Sequence, residues 1–147
     1  MSFLIRRQPR EFRLLTNPCV MFNKIRQNNN SAATGKQAEA SACEYLQAQG
    51  LTLVERNYSC KCGEIDLIMQ DKYTTVFVEV RYRRNSHFGS GAESVDRRKQ
   101  AKLLATAEHY LQQHPKAAQN ICRFDVVALT TENKQHIIDW IEDAFQA

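Results

Sequence analysis

The sequence predicts a mixed α/β domain in which helices flank a central sheet. Helical patterns at residues 34–50 and 95–114 alternate with apolar, β-rich segments, and the order is helix, three strands, helix, strand and a short C-terminal element. Such alternation is typical of a sheet covered by helices. At 147 residues and 43% hydrophobic content, the chain is long enough to bury the core of one domain. We therefore expect an α/β fold of order αβββαβ plus the C-terminal element.

The first helix is predicted from the segment TGKQAEASACEYLQAQG. Thr34 is a typical N-cap residue, the alanines favour a helix, and Gly50 suits the position just past a helix end. Glu39 lies at the border of the apolar stripe that the segment forms at helical spacing. The stripe comprises Ala38, Ala42, Tyr45, Leu46 and Gln49.

Three strands follow the first helix. They are predicted from LTLVERNY, GEIDLIMQ and TTVFVEVRY. The segment SCKCG forms the first turn, and residues 71–73 join the second and third strands as a hairpin. Alternation of side chains along a strand places Ile65, Leu67 and Met69 on one face of the sheet.

Two carboxylates interrupt this hairpin on the other face. With the turn centred between residues 72 and 73, Asp66 of the second strand pairs with Glu79 of the third. Their Cβ atoms would then lie about 4.5–5.5 Å apart. Neighbouring carboxylates repel each other unless something compensates, and Mg²⁺ does so with one or two protein carboxylates and several waters. The alternative is a solvent-exposed face with Glu–Arg pairs.

The second half of the chain continues the α/β pattern. RRNSHFGSGAES is a predicted loop, VDRRKQAKLLATAEHYLQQH a helix that ends before Pro115, and RFDVVALT a strand. Asp125 alternates with apolar residues in this strand, so it either supports a basic cluster or faces water. The segment HIIDWIEDAF is either a fifth strand that runs into a short helix or one terminal helix.

Residues 1–33 are predicted to be a basic, disordered extension that precedes the domain at residues 34–147. The first 30 residues carry six cationic side chains against Glu11, a net charge of +5, whereas the whole chain has +4. The extension is either an arm that touches nucleic acid or a disordered leader. No apolar run reaches 18 residues and no secretory signal is present, so we expect no membrane segment. Five irregularly spaced cysteines suit a reducing cytoplasm.

The motifs of this chain resemble those of a nuclease superfamily. GEIDLI, followed after a short hairpin by VFVEVRYR, is similar to the PD-(D/E)xK pattern of restriction-endonuclease-like proteins. TGKQAEASACEYLQAQG, LVERNY, KQAKLLATAEHYL and RFDVV occur in the same order as in the bacterial YraN family, which resembles archaeal Holliday junction resolvases. The resemblance covers roughly residues 34–143 and implies a restriction-endonuclease-like fold.

The resemblance also implies roles for individual residues. Asp66 and Glu79 correspond to the acids that bind Mg²⁺ or Mn²⁺, and Glu39 to the helical glutamate of resolvase-like members. Arg81 stands where the superfamily has a lysine. A guanidinium stabilises charge and holds phosphate, but with a pKa above about 12 it does not act as a base. Resolvase relatives act as dimers, so a homodimer is a further expectation.

A basic cluster follows these acids along the chain. Functionally it would contact the phosphates of a nucleic acid, and the alternative is a solvated loop and helix start. The predicted nucleic-acid-binding residues are Arg81, Arg83, Arg84, Arg97, Arg98 and Lys99.

The preferred function is therefore a metal-dependent, endonuclease-like phosphodiesterase, with DNA as the favoured substrate and branched DNA as a candidate. One alternative is a nuclease-fold module that binds nucleic acid without cutting it. Another is an adaptor that keeps only the scaffold.

Cys60 and Cys62 lack the partners of a zinc site, so free thiols are expected at these positions.

Overall fold

A computed structural model describes residues 31–83, 95–132 and 135–146 of the chain. Residues 1–30 of the predicted extension (1–33) and residues 84–94 of the predicted loop, which include Arg84, lie outside these segments, whereas residues 31–33 belong to the first helix. The helices are α1 (Ser31–Ala48), α2 (Arg97–Gln113) and a short 3-10 helix (Ala117–Gln119). The strands are β1 (Thr52–Cys60), β2 (Gly63–Asp71), β3 (Thr74–Arg83), β4 (Ile121–Glu132) and β5 (Gln135–Phe145).

The five strands form one mixed sheet in the order β1-β2-β3-β4-β5. The β1–β2, β2–β3 and β4–β5 pairs are antiparallel, whereas β3 and β4 run parallel. A parallel pair needs a crossover connection, and α2 lies between these two strands in the sequence. The predicted mixed sheet and the order of its elements are confirmed.

One helix covers each face of the sheet. The core on the α1 side contains Leu46 together with Leu67, Met69 and Val78. The core on the α2 side contains Leu103 and Tyr110 with strand residues such as Phe77 and Val126. The central strand β3 is therefore buried on both faces, which explains its nearly continuous apolar run. Within the described segments, no helix is long and apolar enough to cross a membrane.

Both helices have the end chemistry that exposed backbone groups require, and the predicted position of Gly50 is confirmed, whereas that of Thr34 is wrong. Gly50 adopts φ 99° just after α1, and the Leu51 amide donates to the Leu46 carbonyl at 3.1 Å, as expected for a C-terminal glycine. Asp96 caps α2 by accepting from the Lys99 amide at 2.8 Å. The helix α1 begins at Ser31, so the predicted N-cap residue Thr34 lies inside the helix instead.

The C-terminal segment is a strand throughout, and the alternatives that included a helix are wrong. Ile138 and Trp140 contact the core on the α1 side, while Ile141 and Phe145 contact the core on the α2 side. The register of β4–β5 shifts between Phe124 and Val126, and Asp143 has φ 51°. This irregularity interrupts the alternation of β5, and the resulting apolar spacing imitates that of a helix.

Asp125 is fully buried, so the expectation that it faces water is wrong. Its carboxylate accepts from Arg123 Nε at 3.0 Å, from Trp140 Nε1 at 3.0 Å and from the Asp143 amide at 3.0 Å. Arg123 also contacts Asp71 at 3.1 Å and Glu142 at 3.4 Å. This cluster joins β4 and β5 to the closed end of the β2–β3 hairpin.

The Asp125 cluster predicts a large stability loss on truncation. We expect Asp125→Ala to lower the free energy of unfolding by about 3–5 kcal/mol, because it leaves the half-buried Arg123 guanidinium without its main partner. Asp139→Ala is the control: Asp139 is exposed on β5, and we expect a change within about 0.5 kcal/mol. Urea unfolding followed by circular dichroism measures both. Equal midpoints for the two variants would contradict this account.

Candidate functional site

The candidate site lies where β2 and β3 part. Their ladder runs from the pair Asp71–Thr74 to the pair Leu67–Val78 and then stops. Beyond that point β2 continues along β1 to Gly63, and β3 continues along β4. The predicted hairpin register is confirmed, but the expected pairing of the two acids falls one step beyond the last ladder pair. The two strands thus diverge where both carry a carboxylate.

Asp66 marks this divergence in β2. Its Oδ2 accepts a hydrogen bond from the Val80 amide at 2.7 Å, which satisfies a backbone donor that β2 no longer pairs. The face alternation of β2 also breaks here, because Ile65 contacts the core on the α2 side while Leu67 contacts the core on the α1 side. The prediction that Ile65 shares a face with Leu67 is therefore wrong.

Glu79 occupies the central strand and is only 4% exposed. Its Oε1 lies 3.0 Å from Lys99 Nζ and 3.4 Å from Arg81 Nε, and the second of these contacts lacks hydrogen-bond geometry. Its Oε2 is buried and has no hydrogen-bond partner among the described residues. A buried acceptor without a partner is costly, so this oxygen would be stabilised by a further donor or cation.

The electrostatics show that the acids share one environment. Burial, and next the negative charge of Asp66, raise the pKa of Glu79 to about 7, although Lys99 and Arg81 act in the opposite direction. Burial is also the main reason that the pKa of Asp66 is raised, and the Val80 amide and Lys99 partly offset it. Two carboxylates that resist ionisation together are a common mark of functional sites.

Glu39 reaches this region from α1, on the other side of the sheet. Burial raises its pKa first, the charge of Asp66 raises it further, and a hydrogen bond with the Asn57 side chain lowers it. Asn57 has φ 53° in β1, close to the point where β2 changes its alternation. The exposed Glu64 also acts on both Glu39 and Asp66. The structure thus brings Asp66 and Glu79 together and places Glu39 beside Asp66.

The predicted basic residues lie at different distances from the acids. The side chains of Arg81 and Lys99 are about one-third exposed, at 34% and 32%, and both contact Glu79. Arg97 and Arg98 are exposed in the first turn of α2, next to Lys99. Arg83 is partly exposed at the end of β3. Sequence reasoning assigned Lys99 to the nucleic-acid surface and missed its contact with Glu79, because 20 positions and a loop separate the two residues.

The donor set suits a hard cation held by few protein ligands. Within the described parts of the chain, no three His, Cys, Asp or Glu side chains are grouped so that they enclose a metal ion. The pair Asp66 and Glu79 offers two carboxylates, one with an unpartnered buried oxygen. Mg²⁺ typically takes one or two carboxylates and keeps several waters, whereas zinc sites need sulfur or imidazole. The residues therefore fit Mg²⁺ or Mn²⁺.

Comparison with known proteins gives the family of the chain. It is 54% identical over 112 residues to a UPF0102 protein of Nitrosococcus oceani, covering 76% of this chain and 90% of that protein. It is 49% identical over 119 residues to a UPF0102 protein of Stutzerimonas stutzeri, covering 81% and 99%. Among solved structures, Pyrococcus furiosus SfsA in complex with Ca²⁺ matches at 14% identity and a TM-score of 0.32. The match covers 77% of this chain and 64% of that chain.

The family match spans the candidate site. The model of the uncharacterised protein family UPF0102 matches residues 38–129, which contain all three acids, the whole of α2 and the part of α1 that carries Glu39. This chain therefore belongs to the UPF0102 family.

Proposed function

We propose that this protein is a metal-dependent nucleic-acid phosphodiesterase of the endonuclease type. The observation that carries the proposal is the unpartnered, buried Oε2 of Glu79 beside Asp66, in the gap where β2 and β3 diverge. The resemblance to the PD-(D/E)xK nucleases supports it, since those motifs supply the acids of this gap. Branched DNA is the substrate class that the likeness to resolvases favours.

Asp66 and Glu79 are the residues that would hold Mg²⁺ or Mn²⁺. A bound divalent ion supplies two effects at such a site: it polarises the phosphodiester and lowers the pKa of a coordinated water. Asp66 also accepts the Val80 amide, so its carboxylate is fixed in position before any substrate arrives. Glu39, held through Asn57, borders the pair from the α1 side and would orient water there.

Two cations, one from β3 and one from α2, would serve the phosphate. Arg81 follows Glu79 by two residues on the same face, and its planar guanidinium matches the oxygens of a phosphate. Lys99 places an ammonium group 3.0 Å from the same carboxylate. Lys99 would thereby supply the amine that Arg81 does not provide at the usual superfamily position. Both would stabilise charge that develops on the phosphate.

The exposed arginines at the start of α2 would position the nucleic-acid backbone. Arg97 and Arg98 lie next to Lys99 in the first helical turn, so a strand that enters the gap would pass these side chains. Such contacts with phosphates orient a substrate without reading its sequence.

The second candidate function is binding without cleavage. It is favoured by the arginine at position 81 and by the Lys99–Glu79 ion pair, which occupies one carboxylate oxygen. A binding module would keep the cationic surface and the fold but show no turnover with Mg²⁺ or Mn²⁺. The experiments below separate the two functions.

The acids are predicted to bind the ion and to be dispensable for folding. Asp66→Asn keeps an acceptor for the Val80 amide, and Glu79→Gln keeps the side-chain shape, so both variants should fold. We expect each variant to lose Mg²⁺ binding, measured by isothermal titration calorimetry, and to lose cleavage activity on a panel of branched DNAs. Glu44→Gln is the control: Glu44 is exposed on the same helix as Glu39, and we expect its substitution to change neither binding nor cleavage. Wild-type protein that releases no heat with Mg²⁺ and cuts nothing would refute the metal-dependent function.

The pKa of Glu79 predicts an unusual pH dependence without metal. The folded value of about 7 lies above the ordinary 4.5, so folding favours the protonated carboxyl. Its contribution to stability is complete below about pH 4.5 and is lost as the pH rises through about 7, by an upper limit of roughly 3.5 kcal/mol. Urea midpoints measured in EDTA at pH 5, 6 and 7 should fall for wild type more steeply than for Glu79→Gln. Parallel curves would show that Glu79 titrates normally.

Because the same proton competes with a cation, Mg²⁺ affinity should rise with pH below about 7. Calorimetry at pH 6 and 7 measures this directly, and the expected change is up to about tenfold. An affinity that does not change with pH would mean that the ion does not bind at Glu79.

Substitution of Arg81 or Lys99 is predicted to slow cleavage by an amount that depends on whether the positive charge is kept. Arg81→Lys should largely preserve cleavage because the charge survives, whereas Arg81→Ala should cost on the order of 10²-fold in rate. Lys99→Ala should cause a similar loss and Lys99→Arg a smaller one. Single-turnover cleavage with Mg²⁺ is the measurement, with the exposed Lys72→Ala as a control. A wild type that is inert while Arg81→Lys gains activity would favour the binding module.

A further inference from the structure

The turn between β1 and β2 carries two neighbouring thiols that the proposed phosphodiesterase site does not use. We propose that Cys60 and Cys62 form a peroxide-reactive dithiol, in which Cys60 is oxidised first and Cys62 resolves it to a reversible disulfide. The oxidant is a hydroperoxide such as H₂O₂. This site is independent of the acids and of any metal ion.

The geometry of the turn brings the two thiols together. Cys60 pairs with Gly63 in the ladder, so Lys61 and Cys62 form a tight two-residue turn. The Cys62 amide donates to Cys60 Sγ at 3.3 Å, which holds the Cys60 sulfur against the backbone of Cys62. The Cα atoms of two residues that are separated by one other residue in such a turn lie roughly 5.5 Å apart. This distance falls inside the span of about 4.4–6.8 Å that a disulfide needs.

The turn is accessible on one side and fixed on the other. Cys62 is exposed and Cys60 is partly exposed, so a small oxidant reaches both. On the inner side, Gly63 lies against α2 so closely that a Cβ at this position would meet Thr106 Oγ1 at 3.1 Å. The helix thus holds the turn in place and keeps Cys60 Sγ near its donors.

The environment makes the two thiols unequal. Partial burial acts to raise the pKa of Cys60, but hydrogen bonds from the Cys62 and Gly63 amides, with smaller side-chain contributions, outweigh it and lower this pKa. The pKa of Cys62 is raised, chiefly by its hydrogen bond to Cys60. A thiol that ionises more readily than its exposed partner thiol is the arrangement found in peroxide-sensing cysteines.

The chemistry balances with one peroxide molecule. The Cys60 thiolate attacks the distal oxygen, the S–O bond forms as the O–O bond breaks, and the leaving oxygen takes up a proton as water. The Cys62 sulfur then attacks the sulfenic sulfur, the S–S bond forms, the S–O bond breaks, and a second water leaves. The two thiols lose two electrons and the peroxide gains them. Because the product is exposed and joins near neighbours, cellular thiols such as glutathione would reduce it.

The other described cysteines offer an internal reference. Burial raises the pKa of Cys122 to about 11, and Cys43 is fully buried with a raised pKa as well. All four cysteines of the described segments are free thiols. Selective oxidation at the turn is therefore measurable within one molecule.

The test uses the full-length reduced protein, about one equivalent of H₂O₂ per chain, and N-ethylmaleimide to quench free thiols. Trypsin cleaves after Lys61, between the two cysteines, so the disulfide should join the peptides of residues 57–61 and 62–72. Dithiothreitol should separate them, and Cys122 should stay fully alkylated. In Cys62→Ser, dimedone should label Cys60, whereas in Cys60→Ser, Cys62 should stay free at the same dose.

The rates at which the cysteines are alkylated give a second test of the proposal. At neutral pH, Cys60 should react with maleimide at least about tenfold faster than Cys122, and Cys122→Ser should not alter the joining of the two peptides. The proposal is wrong if both turn cysteines remain alkylatable at a dose that oxidises Cys122. It is also wrong if Cys62→Ser yields no dimedone adduct at Cys60.

Discussion

The hydrogen bond from the Val80 amide to the Asp66 carboxylate is the contact on which the site depends. It lets β2 leave β3 without an unpaired backbone donor, at the point where both strands are still deep in the domain. Without such a side-chain acceptor, the ladder would either continue and close the gap or leave the amide unsatisfied. The parting of the strands then leaves Glu79 buried, next to a second carboxylate and with one oxygen that no described residue contacts through a hydrogen bond.

The rest of the molecule holds this unfavourable arrangement in place. The hairpin is fixed at its closed end by the Arg123–Asp125 cluster, which contacts Asp71, and it opens at the other end beside the acids. Both faces of the sheet are covered by compact cores, so the central strand cannot shift to relieve the repulsion. Lys99 and Arg81 compensate only one oxygen of Glu79. Stability supplied by the cores and the cluster thus sustains a site that is electrostatically strained.

Much of the scaffold follows from periodic patterns, and most of the misses arise where a pattern is interrupted. The hairpin register could be derived because opposed residues keep a constant index sum up to Leu67 and Val78. The change of face at Ile65 could not, because it rests on one side-chain bond to the backbone rather than on spacing. The strand β5 was ambiguous for a similar reason, since its bulge gives apolar residues a helix-like interval. The contact of Lys99 with Glu79 depends on how α2 crosses the sheet, which local sequence does not encode.

The parallel pairing of β3 with β4 sets the order in which the site is assembled. The hairpins β1–β2 and β2–β3 join residues close in sequence, so they form with little loss of chain entropy. The β3–β4 pair joins Thr74 to Ile121 and must wait until α2 has crossed the sheet. Lys99 of α2, which packs on β2, comes to Glu79 from this same crossover segment. During synthesis, Arg81 leaves the ribosome almost together with Glu79, whereas Lys99 follows 20 residues later and β4 later still, so Glu79 meets its two cations one after the other.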